Sequence, residues 1–167
     1  MEDNLLFIFI CCLCIFVGVV VGFIIGRNLR NIEIIRFINL KTKEAQKFNF
    51  LYEVSSKLWL IKDRKREMSK FFLENSFEHI AIYGMGKIGQ IFLKEMQREN
   101  ILVEYVVDRN ANNIQENIHK YTPDDILPDV DILIVTIWDI QQVRTTVDLN
   151  ENCKIVSIND LLDVIMD

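Results

Sequence analysis

The chain has 167 residues, half of them apolar, enough for one domain of ordinary size with an appendage and too few for two full catalytic domains. Six glycines and two prolines leave no low-complexity tract, so the composition is not that of a disordered protein. The net charge of −5 is segregated: residues 1–26 carry −2, residues 27–76 hold twelve basic against six acidic side chains, and residues 77–167 carry −9. An acidic last region excludes nucleic acid as its partner, because phosphate neutralisation needs a basic face.

From Leu5 to Gly26 there are 22 residues without a charge. At 1.5 Å per residue such a helix reaches roughly 33 Å, the thickness of a bilayer's hydrocarbon core, which predicts a single transmembrane span over 5–26. A cleaved signal peptide would need a basic start and a small-residue cleavage site, whereas the chain opens Met1-Glu2-Asp3-Asn4. Arg27, Arg30, Arg36, Lys41 and Lys43 follow the span, so the positive-inside rule predicts a cell-membrane protein with its N-terminus outside and its C-terminal domain in the cytoplasm. Gly18, Gly22 and Gly26 recur every four residues, a small-residue stripe on which two such helices could pair as a homodimer.

Cys11, Cys12 and Cys14 lie inside the apolar span and Cys153 in the last region, which excludes a disulfide framework. With only His79 and His119 beside them, and no Cys-x-x-Cys, no metal site is expected.

Residues 27–76 form a basic stalk. Apolar residues at Leu29, Ile32, Ile35, then Phe48, Leu51, Leu58 and Ile61 predict one or two helices, without a coiled coil because Ser55 and Lys62 would fall on the seam. The cluster Lys62, Arg64, Lys65, Arg66 reads as a solvated helix face. Met68, Phe71 and Phe72 follow at i, i+3, i+4 and predict a lead-in helix packed on the next domain.

Residues 77–167 carry the chemistry. The apolar run His79 to Tyr83 reads as a buried parallel strand and ends in Gly84-Met85-Gly86-Lys87-Ile88-Gly89, a Gly-x-Gly-x-x-Gly loop. Ile88, Ile91, Phe92 and Met96 then share a helix face to about Glu99, and a second strand over Leu102–Val107 ends in Asp108, 24 residues beyond Gly84. The spacing has a mechanical reading: Gly84 permits the turn, Gly86 admits a pyrophosphate to the backbone, Gly89 lets helix and strand close, and the helix N-terminus offers amides to an anion. Asp108 would accept ribose hydroxyls, Arg109 beside it leaves open whether a 2′-phosphate is taken, and Lys87 is placed to lean towards phosphate.

The remainder alternates in shortened form. Ile118–Tyr121 is a third strand; Thr122-Pro123-Asp124-Asp125 predicts a short helix ended by Pro128; Ile132–Ile137 is a central strand. Asp139 is expected to cap a helix with Ile140, Val143 and Val147 inward, Lys154–Ile158 to form a fifth strand, and Asn159 to cap a closing helix through Met166. Right-handed crossovers give an α/β fold, a Rossmann-like five-stranded parallel sheet of order 3-2-1-4-5, with Thr136 and Trp138 at the crevice between strands 1 and 4.

No Ser/His/Asp set, Cys/His pair or carboxylate pair falls at that crevice, and Tyr83 with Lys87 matches Tyr-x-x-x-Lys only across the glycine loop itself. With no substrate domain after the fifth strand, the expectation is binding without stand-alone catalysis. The run from Ile80 through Ile158, with Ile-Tyr-Gly-Met-Gly-Lys-Ile-Gly, Val-Val-Asp-Arg-Asn and Leu-Pro-Asp-Val-Asp-Ile-Leu-Ile-Val-Thr, resembles the small Rossmann-like domains of bacterial surface-polysaccharide and sugar-nucleotide proteins. It is also similar to the C-terminal domain of sugar C-methyltransferases. The resemblance implies a nucleotide-type ligand, NAD(P) or a nucleotide-sugar, lined by Gly84, Gly86, Gly89 and Asp108, and a polysaccharide-biosynthesis partner. Two other roles fit the same residues: a subunit of a split sugar-nucleotide-modifying enzyme, or an NAD-sensing regulator of a membrane transporter.

Overall fold

The computed structural model describes the backbone of residues 2–63 and 68–166, and the side-chain surroundings of 32–62, 68–166, Gly18 and Gly22. The chain divides into two units, residues 1–45 and 46–167.

Helix α1 (Glu2–Asp63) runs through both. In the first unit its side chains from Ile32 onward are exposed, with Lys41 paired to Glu44 at 2.8 Å. The expected span 5–26 lies, apart from Gly18 and Gly22, outside the residues whose side chains are described; among the described residues no helix is long and apolar enough to cross a membrane. A β-carbon at Gly18 or Gly22 would meet nothing within 4 Å. The basic cluster at 64–66 also lies outside the described residues.

The second unit holds the end of α1, then α2 (Met68–Glu74), β1 (Ile80–Tyr83), α3 (Lys87–Arg98), β2 (Tyr105–Val107), β3 (His119–Tyr121), β4 (Ile132–Val135), α4 (Ile140–Thr146), β5 (Lys154–Ser157) and α5 (Ile158–Met166). The five strands make one parallel sheet of order β3-β2-β1-β4-β5, as the strand and helix alternation implies. β1 and β4 are buried at every position, the reason their sequences carry no polar alternation.

Alternate residues of each strand enter two cores. Ile80, Ile82, Val106, Ile132 and Ile134 face a thick layer made by α3, α5, α2 and the end of α1, which contributes Val54, Leu58 and Ile61. Ala81, Tyr83, Tyr105, Val107, Leu133 and Val135 face a thinner layer to which α4 supplies Val143 and its C-cap Val147. Met68 and Phe72 of α2 are buried as their spacing predicts. Lys57 fastens α1 to α5, reaching Asp163 at 2.5 Å and the Asn159 side-chain oxygen at 2.8 Å.

Four local expectations are corrected. The second strand is shorter than 102–107: Leu102 is exposed because the chain leaves α3 through a left-handed Asn100 and reaches the sheet only at Glu104, whose amide donates to Ile80. The fourth strand ends at Val135, two residues before Ile137. No helix follows Thr122; the Asp125 carboxylate instead accepts both the amide and the hydroxyl of Thr122, and Ile126 lies open to solvent, so a turn before Pro128 has no apolar face to bury. Asn159 lies inside α5, and its amide donates to the Ser157 hydroxyl, which takes the capping place because the fifth strand stops one residue early. Asp139 does cap α4, accepting from the Gln142 amide at 3.2 Å.

Candidate functional site

The site grows from the turn between β1 and α3. Gly84 has φ of +96°, a conformation that L side chains rarely adopt, and a β-carbon there would stand 2.6 Å from the Ile137 side chain. At Gly89 a β-carbon would lie 2.0 Å from the Gly84 carbonyl oxygen, so the absence of a side chain lets α3 close onto the strand. Gly86 differs from both. Its φ is −69°, which any residue adopts, and a β-carbon would meet nothing within 4 Å. It serves as the N-cap of α3, and no side chain caps the helix there, so its first-turn amides have no capping acceptor.

The remaining loop residues divide between structure and surface. Met85 and Ile88 are buried in the thick core, whereas Lys87 is exposed at the first position of α3. Thr136, just past β4, is buried; its hydroxyl donates to the Gly84 carbonyl and lies 3.1 Å from that of Tyr83, while its amide bonds Tyr83 at 2.9 Å. Thr136 is therefore the strap that holds β1 and β4 together beneath the turn.

Asp108 follows β2 and reaches across to the loop. Its Oδ2 accepts the Met85 amide at 2.6 Å and its Oδ1 the Asn110 amide at 2.8 Å. Arg109, the next residue, lies near the Tyr83 hydroxyl. Burial pushes that hydroxyl's pKa up, and the neighbouring Arg109 charge pulls it back.

Two clefts meet at Gly86, Asp108 and Asn110. The smaller, about 430 Å³, adds Met85, Gln90, Asn113, Ile114, Gln115 and Glu116, and among its lining residues are two acids and no cation. The larger, about 660 Å³, opens over the β1/β4 crevice and takes Tyr83, Gly84, Lys87, Ile88, Arg109, Thr136, Ile137, Trp138, Asp139 and Gln142 from the sheet side. Its other side is the end of α1: Lys47, Phe50 and Leu51.

All the sequence-marked residues, Gly84 to Gly89, Asp108, Arg109 and Thr136, thus gather around one turn, and Trp138 lines the same crevice. Sequence reasoning missed the α1 wall, since Lys47 stands 37 positions before Gly84 in a segment read as stalk. It also missed the polar run Asn113, Gln115, Glu116, which carries no recognisable spacing. Among the described residues no group of His, Cys, Asp and Glu could hold a metal ion. Cys153 is half-buried, and that burial raises its thiol pKa. No protein-family model, curated protein or solved structure matches the chain.

Proposed function

We propose that this chain binds a diphosphate-bridged nucleotide, NAD or a nucleotide-sugar, at the β1–α3 turn of a Rossmann-like domain held at the membrane by residues 5–26. The observation that carries the reading is the contrast among the three loop glycines. Gly84 and Gly89 are required by the protein's own packing, whereas among the described residues nothing stands within 4 Å of where a Gly86 side chain would begin. A missing side chain that the fold does not need is accounted for by something that approaches from outside, and the uncapped amides of α3 beside it suit a phosphate.

The two clefts on either side of Gly86 support a two-part ligand. The acid-lined one suits a nucleoside whose free hydroxyls donate to Asp108, and its lack of a cation disfavours a 2′-phosphate, which narrows NAD(P) to NAD. Lys87 and Arg109 in the larger cleft suit the diphosphate and the second half of the ligand. The uncharged segment 5–26 and the basic residues after it support a single-pass anchor with the domain in the cytoplasm. Open space at Gly18 and Gly22 suits pairing of two such helices. The resemblance of residues 80–158 to sugar-nucleotide modules points to a partner in surface-polysaccharide assembly.

The test is thermal unfolding of the detergent-solubilised full chain with NAD, NADP and UDP-glucose. A ligand that binds only the folded state raises the midpoint, and Gly86→Val abolishes the rise. A rise that survives both Gly86→Val and Asp108→Ala overturns the site.

A further inference from the structure

Resting on the nucleotide reading, we propose that the end of α1 is a third wall of the ligand site, with Lys47 supplying charge to the ligand's diphosphate and Phe50 an apolar surface for the group beyond it. Lys47, Phe50 and Leu51 fall at i, i+3, i+4, on one face of the helix, and line the same 660 Å³ cleft as Gly86, Lys87 and Trp138.

The state of the lysines supports the assignment. Lys41 is engaged by Glu44, and Lys57 by Asp163 and Asn159. Lys47 has no ion pair or hydrogen bond among the described residues, although it lies on an acidic domain. Lys43 and Lys62 likewise have no ion pair or hydrogen bond among the described residues, but neither is among the residues that line the cleft. The wall is held in position because the next turns of the same helix bury Val54, Leu58 and Ile61 in the core. A diphosphate over Gly86 therefore meets Lys87 from α3 and Lys47 from α1. An occupied site joins the stalk helix to the sheet through the ligand.

The experiment uses full-length protein in lipid nanodiscs, with NAD and UDP-glucose as diphosphate probes and adenosine and uridine as probes that lack the phosphates. Lys47→Gln weakens the diphosphate probes by about tenfold, the size of one charge-assisted contact, and leaves the nucleosides unchanged. Lys47→Arg restores most of the affinity, and Lys43→Gln has no effect. Saturating probe slows amide exchange at Phe50 and Leu51. Wild-type affinity in Lys47→Gln, together with loss of binding in Gly86→Val, overturns the third wall and leaves the glycine-loop site standing. Binding untouched by Gly86→Val overturns both, as does the absence of binding by every probe.

Discussion

The Met85 amide donates to the Asp108 carboxylate at 2.6 Å, so the end of β2 is clasped to the glycine turn after β1. The same carboxylate also accepts the Asn110 amide, which orders the start of the β2–β3 connection. Asp108→Ala removes both acceptors. The expected cost is about 1–3 kcal/mol in chemical unfolding, with Asp108→Asn costing less because one oxygen remains. Nucleotide affinity falls in both variants.

The three glycines separate stability from binding. Gly89→Ala is expected to cost about 1–3 kcal/mol or more, since its β-carbon would drive into the Gly84 carbonyl. Gly84→Ala is destabilised by both its backbone conformation and the Ile137 contact. Gly86→Ala leaves the melting temperature within about 1 °C of wild type, because open space surrounds the added methyl group, while nucleotide binding drops. Differential scanning fluorimetry with and without NAD reads all three.

Thr136 offers a sharper test of the strap. Thr136→Val keeps the volume and removes the hydroxyl, leaving the buried Gly84 carbonyl without its donor, at an expected cost of about 1–2 kcal/mol. Thr136→Ser retains the donor and should recover most of that loss.

How much of this was legible in the sequence depended on whether a local pattern had one tertiary solution. The apolar runs 80–83 and 132–135 have only one, burial on both faces, and with the glycine turn they set strand order and the position of the crevice. The helix ending at Asp63 has several. Apolar side chains lie on more than one face of it, and the spacing grouped Phe48 with Leu58 and Ile61, whereas the structure buries Leu58 and Ile61 and exposes Phe48. Periodicity alone does not say which stripe meets a partner. The turn at Thr122 misled for a related reason: its signals were those of a helix start, but only four residues separate Pro123 from Pro128.

That division of faces is measurable. Ile61→Ala should cost about 2–4 kcal/mol, as expected for a buried side chain removed from a packed core, although it belongs to the stalk by sequence. Trp59→Ala, two residues away and 64% exposed, should stay within about 0.5 kcal/mol of wild type.

At the opposite end of the sheet His79 pairs with Glu104, and Asp131 accepts the amides of Glu78 and His79, each at 2.8 Å. The Glu104 hydrogen bond and charge raise the His79 pKa above its ordinary 6.5. Its stabilising contribution is therefore complete below pH 6.5 and fades as pH rises through the raised value. The His79 and Glu78 amides hold Asp131 below its ordinary 3.8, so its contribution is present above that pH and is lost as acid titrates it. Melting curves from pH 5 to 9 should show a decline on the alkaline side that His79→Gln removes.

One boundary of the sheet is β3, three residues long, with His119 and Lys120 open to solvent. So brief and polar a margin gives an incoming strand few backbone partners and sets a cation in its path. If copies of the chain are crowded together, the sheets have little means of stitching into a continuous ribbon, and association is left to surfaces other than this margin.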